Sequence, residues 1–316
     1  MIIVFGSINL DLVTKTPRLP VAGETLRGYE FFTAAGGKGA NQAVAAARLG
    51  IPTKLVGRLG NDNFGHQLRR SLQATGVDTE EILVDTETSS GIAVIIVDDA
   101  GENQIIFVAG ANEHLGDADV ERFKKLLPEA TLLLMQLEIP LSAVLSAALA
   151  AKQAGVPVIL DPAPVQELPP ELYQNVDILT PNQVEAAQLV GFPVDNQEAA
   201  AQAAKILRQR GVGTVIVKLG DQGAFYASES ESFFVPAFPI QAVDSVAAGD
   251  AFNGALAAAL TKGLSLRQAV VWGAAAGAIA TTQAGAQTSL PTLETFNRFL
   301  EEHGLEVKNS ISLQNF

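Results

Sequence analysis

The run from Asp244 to Gly254, Asp-Ser-Val-Ala-Ala-Gly-Asp-Ala-Phe-Asn-Gly, carries the strongest chemical signal in the chain. Ala247, Ala248 and Gly249 stand just before a strongly helical stretch, Ala251 to Leu260. Their N–H groups should therefore gather at a helix N-terminus, where unpaired donors and the helix dipole favour an anion. Asp250 sits among those donors. A carboxylate there repels an anionic ligand unless it does something the ligand needs, such as taking the proton of an attacking hydroxyl. The pairing points to phosphoryl transfer to an alcohol; an ordinary capped helix with Asp in its first turn is the competing reading.

Two further clusters could hold that alcohol. Asn9 and Asp11 are two residues apart, so on an extended segment their side chains point the same way. An Asp accepts hydrogen bonds and an Asn both donates and accepts, which suits the vicinal hydroxyls of a polyol; an Asx-rich turn has the same composition. Ala34-Ala-Gly-Gly-Lys-Gly-Ala-Asn41 opens an Ala-rich helix, Gln42 to Leu49, that ends at Gly50. Its glycines let a ligand approach backbone donors, and Asn41 adds a hydroxyl partner one turn into the helix. This is not a Walker A loop, because Phe32 stands where the first glycine is required and Gly39 where Ser or Thr must follow the lysine.

Such residues need elements to position them. Ile2 to Phe5 is a short apolar run stopped by Gly6, as expected of a central parallel strand buried on both faces. Strand Thr53 to Leu59, helix Asn63 to Thr75 and strand Glu81 to Val84 continue in βαβ rhythm. Gly91 to Val97 and Gln104 to Val108 flank a turn cluster and read as a hairpin. With segments 13–16 and 25–32 they form a small antiparallel sheet, a lid over the site or a dimer surface; a plain edge extension is the alternative. From Leu132 onward the alternation resumes: strands 132–135, 157–160, 177–179 and 214–217, helices 141–154, 184–190 and 198–210. A doubly wound sheet is the economical fold. Ligands gather beyond the carboxyl ends of such strands, where Glu138, Asp161, Asn182, Glu185, Lys218 and Gly220 fall. Short strands 224–226 and 233–235 lead to the anion-site helix, then to helices 266–280 and 293–303, with a polar tail after Gly304.

Composition narrows the field. With 316 residues, 48% of them hydrophobic, the chain can bury the core of one large α/β domain or of a domain with a small appendage. A formal charge of −13 argues against non-specific binding to nucleic acid or anionic membranes, so a nucleotide phosphate must be held by local donors. The absence of cysteine excludes disulfides, thiolate metal sites and cysteine nucleophiles. His66, His114 and His303 lack ligand spacing, and Trp272 reads as core in preference to a nucleotide-pocket wall. Met1 to Gly6 lacks a basic leader region, and the apolar stretch Ala269 to Ala280 is too short to span a bilayer, so a soluble cytoplasmic protein is expected.

From Val4 to about Leu300 the sequence resembles the PfkB family of carbohydrate kinases. Its glycine signature appears at Gly36-Gly-Lys-Gly-Ala-Asn-Gln-Ala43 and its C-terminal signature at Asp244-Ser-Val-Ala-Ala-Gly-Asp250. Gly6-Ser-Ile-Asn-Leu-Asp11, Pro20-Val-Ala-Gly-Glu-Thr25, Gly110-Ala-Asn112 and Leu134-Met-Gln-Leu-Glu138 are similar to the ribokinase branch. The resemblance implies a three-layer ribokinase-like α/β domain over residues 1–304, a β lid, and a peripheral tail over 305–316. It implies ATP-dependent phosphorylation of D-ribose at the 5-hydroxyl, with Asp250 as general base and Ala247, Ala248 and Gly249 donating to the transferring phosphoryl group. Asn9, Asp11, Gly37, Lys38, Asn41 and Glu138 would hold the sugar. Asn182, Lys218, Leu219, Gly220, Asp221, Gln222, Gly223, Gly249 and Ala274 would meet the nucleotide. Glu185 would order Mg²⁺ through water, and a K⁺ site would draw on Asp244, Val246, Ala280, Gln283, Gly285 and Ser289. A homodimer through the lid is also implied.

Three positions depart from the family pattern. Ala274 replaces a polar residue near the adenine, Gln283-Ala284 replaces basic residues before Gly285, and Asp161 stands where some ribokinases carry Asn. The competing functions are a kinase of the same fold acting on deoxyribose or fructose, and a non-catalytic sugar sensor, against which the intact Gly249, Asp250, Asn182 and Glu185 argue. A nicotinamide oxidoreductase is disfavoured because no Gly-x-Gly-x-x-Gly follows a strand.

Overall fold

In chain order the strands are β1 (Ile2–Phe5), β2 (Asn9–Lys15), β3 (Glu30–Gly36), β4 (Thr53–Gly60), β5 (Ile82–Asp85), β6 (Gly91–Val97), β7 (Asn103–Val108), β8 (Leu132–Met135), β9 (Val158–Leu160), β10 (Ile178–Leu179), β11 (Thr214–Lys218), β12 (Gly223–Ala227) and β13 (Ser232–Pro236). The helices are α1 (Lys38–Arg48), α2 (Asn63–Ala74), α3 (Asp117–Leu126), α4 (Leu141–Gln153), α5 (Pro170–Gln174), α6 (Gln183–Val190), α7 (Gln197–Gln209), α8 (Ala248–Thr261), α9 (Leu266–Thr281), α10 (Ala286–Ser289) and α11 (Leu293–Glu302). The computed structural model describes residues 1–305.

Nine strands form the main sheet in the order β13-β12-β11-β10-β9-β8-β1-β4-β5, all running the same way except β12, which pairs antiparallel with both β11 and β13. Successive side chains on a strand point to opposite faces. Ile2 and Val4 of β1 therefore enter one apolar core, with α1, α2, α8, α9 and α11, while Ile3 and Phe5 enter a second, with α3 to α7. β8 divides in the same way, Leu132 and Leu134 to one side and Leu133 and Met135 to the other. The result is the expected three layers. Chain order reverses at β1, with β4 and β5 on one side and β8 onward on the other, so a ligand crevice opens at the carboxyl end of that junction.

A second sheet has the order β3-β2-β6-β7. Its outer pairs are antiparallel, while β2 and β6 run parallel, because β6 rejoins β2 only after a crossover through α1, β4, α2 and β5. The lid strands differ in extent from the expected 13–16 and 25–32. β2 begins at Asn9, and β3 runs from Glu30 to Gly36 with Lys15 paired to Glu30. Pro17, which has no N–H to offer a ladder, lies just beyond β2, and residues 25–28 form no strand.

Helices α3, α5 and α10 stand where the sequence reading places none. α5 and α10, at five and four residues, are too short to carry a periodic signal, whereas α3 buries Val120 and Phe123 at helical spacing. Leu305 is buried and its N–H donates to Leu300, so it belongs to the domain and not to the tail. The rest of the expected peripheral tail, 306–316, lies outside the described residues.

Candidate active site

α8 starts in an unusual way. Its cap, Ala247, has φ 59°, and it alone among the described non-glycine residues has positive φ. A left-handed alanine costs on the order of 1 kcal/mol. The first N–H groups of a helix have no partner one turn back, and here Ala247, Ala248, Gly249 and Asp250 line a cavity of about 840 Å³. The start of α8 thus lies at the wall of a large crevice, with Ala248 N donating to Ser245 O at 3.3 Å.

Asp250 is 5% exposed. One carboxylate oxygen accepts from Asn41 Nδ2 at 2.9 Å and the other from Gln42 Nε2 at 3.0 Å. Burial raises its pKa to about 6; the Asp161 charge adds to the rise, while Lys38 and the two amide donors oppose it. A carboxylate so placed is a stronger base than one in water and is still ionised at neutral pH. Asn41 Oδ1 is buried without a partner, an acceptor left over beside the base.

A second cluster lies beyond α1. Glu138 Oε2, just past β8, accepts from Ser7 Oγ at 2.6 Å, Lys38 N at 3.1 Å and Asn9 Nδ2 at 3.3 Å. Three donors on one oxygen leave Oε1 for another partner. Asn112, fully buried, turns the Asn9 amide by donating to its Oδ1 at 2.8 Å and also grips both backbone groups of Ile8. Asp11 follows on the same face of β2; burial, then the charges of Glu138 and Asp250, raise its pKa to about 7. Gly36 leaves room for it, since a Cβ there would come within 2.7 Å of Asp11 Oδ2. Gly37 has φ 88°, and a Cβ on it would meet Asn9 N at 2.6 Å, so only glycine serves. α1 is pressed onto the end of β1, where a Cβ on Gly39 would lie 2.6 Å from Gly6 C and Ser7 N. Asn9, Asp11, Gly37, Lys38, Asn41 and Glu138 are thus brought together on one side of Asp250.

The cavity occupies the other side. Lys38, Asn182, Glu185, Lys218, Gly220, Asp221, Gly223, Gly249, Asp250 and Ala274 line it, which unites most of the expected nucleotide contacts. Two side chains depart from the expectation: Leu219 is fully buried in the core, and Gln222 Nε2 donates to Asp195 O at 2.8 Å. Asn182 and Glu185 form a reciprocal cap on α6, with Asn182 N and Nδ2 each 2.8 Å from a Glu185 oxygen. Burial raises the Glu185 pKa and Asp161 adds to it, against the pull of Lys218. No cluster of three or more His, Asp or Glu suited to a metal occurs among the described residues. A divalent ion that arrives on phosphates and keeps its own waters, as Mg²⁺ does, fits a lone carboxylate of this kind.

The segments proposed for K⁺ also converge. Asp244 Oδ1 accepts from Val246 N at 3.0 Å, and Oδ2 from Gly285 N at 2.9 Å. Asp244 N donates to Thr281 O at 3.1 Å, and Gln283 N approaches Ala280 O at 3.4 Å. Ser289 is buried and its hydroxyl donates to Ala286 O. Asp244 thus ties together residues 246, 281 and 285, while Ser289 is held within its own helix. Trp272 packs edge-on against Phe296 in the core, as expected.

Sequence reasoning gave no role to Ser7, Gln42, Asn112 or Gln136. All four lie within the quoted motifs, and Gln136 stands two residues before Glu138. What was missing was the partner of each, which only the folded contacts supply.

Comparison with known proteins agrees with this geometry. A curated protein named ribokinase from Haemophilus influenzae is 42% identical over 298 residues, covering 94% of this chain and 97% of its own length. A deoxyribokinase of Salmonella typhi is 36% identical over 300 residues, covering 95% and 98%. The solved structure of Arabidopsis thaliana ribokinase complexed with ribose and ATP has a TM-score of 0.89 at 36% identity, covering 95% of this chain and 98% of that one. The pattern described as pfkB family carbohydrate kinase matches residues 1–293. The chain belongs to the PfkB family of carbohydrate kinases.

Proposed function

We propose that the protein transfers the γ-phosphoryl group of ATP to the 5-hydroxyl of D-ribose, giving ribose 5-phosphate and ADP. The observation that carries this reading is the position of Asp250, a buried carboxylate at an anion-binding helix terminus, with a polyol-suited cluster on one side and a nucleotide-sized cavity on the other. The relatives named ribokinase support the substrate.

Asn9, Asp11, Gly37, Asn41 and Glu138 bind the sugar hydroxyls, the free Glu138 Oε1 and Asn41 Oδ1 offering acceptors. Asp250 takes the proton of the 5-hydroxyl as that oxygen attacks in line. The N–H group of Gly249, with Lys38, stabilises charge developing on the transferring group. Asn182, Lys218 and the 220–223 loop bind the nucleotide. Mg²⁺, ordered through water by Glu185, supplies charge neutralisation at the phosphates when bound. A K⁺ ion held by carbonyls of the 244–246 and 280–285 segments would steady the loop that precedes α8.

The lid supplies the contact between subunits of a homodimer. Phe31, Phe32, Ile105, Ile106, Phe107 and Val108 are all exposed on β3 and β7, an apolar surface that water leaves unsatisfied. We place the reaction in the cytoplasm because its phosphoryl donor is an intracellular nucleotide.

The test is ADP release with ATP and Mg²⁺, offering D-ribose, 2-deoxyribose, fructose and adenosine, each with potassium and with sodium. Turnover is expected to be highest on ribose with potassium. The Salmonella typhi relative keeps deoxyribose as the second candidate, and a higher kcat/KM on 2-deoxyribose would replace ribose as the substrate. Equal rates in sodium would remove the cation site.

A further inference from the structure

A chain of buried polar groups behind Asp250 has no part in the mechanism above. Gln136 Nε2 donates to Gln42 Oε1 at 2.6 Å, which turns the Gln42 NH₂ group the other way. That one NH₂ donates to Asp250 Oδ1 at 3.0 Å and to Asp161 Oδ2 at 2.9 Å. Asp161 Oδ1 in turn receives Lys218 Nζ at 2.9 Å. Gln42, Gln136 and Asp161 are at most 2% exposed, so water does little to screen them. Asp161, Asp250 and Lys218 all line the cavity, and the Lys218 Nζ lies 3.3 Å from where a Cβ on Gly249 would stand.

Two hydrogens on one nitrogen satisfy one oxygen of each carboxylate, but the two negative charges remain close in a water-poor site, and the Asp161 charge makes Asp250 harder to ionise. Lys218 offsets the charge on Asp161. A phosphate chain in the cavity competes for the same ammonium, which is a compact charge on a flexible stem and can turn from one partner to the other.

We propose that Asp161 is a positioning residue for Asp250, acting through Gln42, and that Lys218 makes the strength of this base depend on whether nucleotide phosphate is bound. The proposal rests on the roles given above to Asp250 and Lys218. With the cavity empty, Lys218 stays on Asp161 and the proton affinity of Asp250 is held down. When phosphate draws the ammonium away, the uncompensated Asp161 strengthens Asp250 just as a hydroxyl proton has to be removed. The proton passes from the sugar oxygen to Asp250, and Asp161 takes none.

Other charges also face Asp250. Lys38, on α1, lowers its proton affinity, and Asp11, on β2, is coupled to it; Glu138 and Glu185 act on Lys38. Because Lys38 lines the cavity too, phosphate bound to it strengthens Asp250 whatever occupies position 161. Comparison with an Asp161 variant isolates the Lys218 route.

The experiment follows the Asp250 carboxyl by carbon-13 NMR in aspartate-labelled protein across pH, without ligand and with the imido analogue of ATP. In Asp161→Asn without ligand, the Asp250 midpoint is expected to fall by about one pH unit. The analogue should raise the midpoint in the parent protein, and by less than half as much in the variant. An unmoved midpoint in Asp161→Asn, or equal responses to the analogue, overturns the proposal. Should Asp161→Asn fail to fold, Lys218→Gln carries the test, since it keeps an N–H donor for Asp161 but removes the charge; a ligand-free midpoint that does not rise is then the overturning result. The NMR midpoint does not require Asp250 to be the base. Turnover surviving in Asp250→Asn would sink the base and leave the linkage measurable, whereas a dead Asp250→Asn with an immobile midpoint sinks the linkage alone.

Discussion

The two sides of Asp250 are built differently. On the sugar side, Ser7, Asn9, Lys38 N and Asn112 already hold Glu138 and one another in fixed hydrogen bonds, and the leftover acceptors are few and directed. On the nucleotide side the cavity is wide and lined by many small residues, with Lys218 paired to Asp161 and Glu185 tied to Asn182. A wired site selects by geometry, because an absent hydroxyl leaves buried groups unpaired. An open, charged site tolerates variation in its ligand. Substrate choice should therefore reside in the sugar half and rate control at the junction.

The largest break in that contrast is at the junction itself. Asp250→Asn should lower kcat by about 100-fold or more while ribose still binds, and stopped-flow turnover with equilibrium ribose binding checks both halves. Next, Glu138→Gln places an NH₂ against donors that need an acceptor, and should raise the KM for ribose by about 10- to 100-fold with the KM for ATP nearly unchanged. A shared rise in both constants would remove the division between the halves. With Asp250 titrating at about 6 in the ligand-free protein, kcat/KM should fall about tenfold for each pH unit below that value, since only the ionised form accepts a proton.

A stability measurement sharpens the same point. The folded pKa of Asp250, about 6, lies above its ordinary 3.8, so the folded state binds the proton more tightly. Stability is gained as pH falls through 6 toward 4 and is missing above 6. Asp250→Asn should consequently melt no lower than the parent at pH 8 and lose that parity at pH 4, as calorimetry would reveal. The smallest effect on chemistry is expected at the lid, where Ile106→Glu should shift sedimentation to the monomer and change kcat by less than about threefold. A dimer that survives this change does not use β7.

The main sheet was legible because its strands are apolar runs bounded by glycine or polar residues, and because Glu138, Asp161, Asn182 and Lys218 each follow such a run. The lid was only half legible. Its strands are partnered by a sheet of four, and the start of β3 is set by where Pro17 ends β2, a fact about pairing that β3's own residues do not contain. Gln42 and Gln136 were unreadable for a related reason. A glutamine inside an alanine-rich helix looks like any helix former, and it acquires a role only when Asp161, 119 residues away, meets its amide.

β1 places apolar side chains in both cores, and this bears on how the molecule avoids misassembly. In a strand with one wet face, a slip by one residue is penalised because it turns greasy groups to water. Ile2 to Phe5 has no wet face, so a slip there would merely exchange one apolar set for another. The backbone contact of Gly39 with Gly6 and Ser7, just past β1, removes that ambiguity, since Phe5 slid into the place of Gly6 would put a side chain against Gly39 of α1. Steric exclusion at a pair of glycines thus acts as a proofreading step, and because Ser7 and Asn9 follow directly, the alignment of the sugar-binding groups is decided when the strand docks.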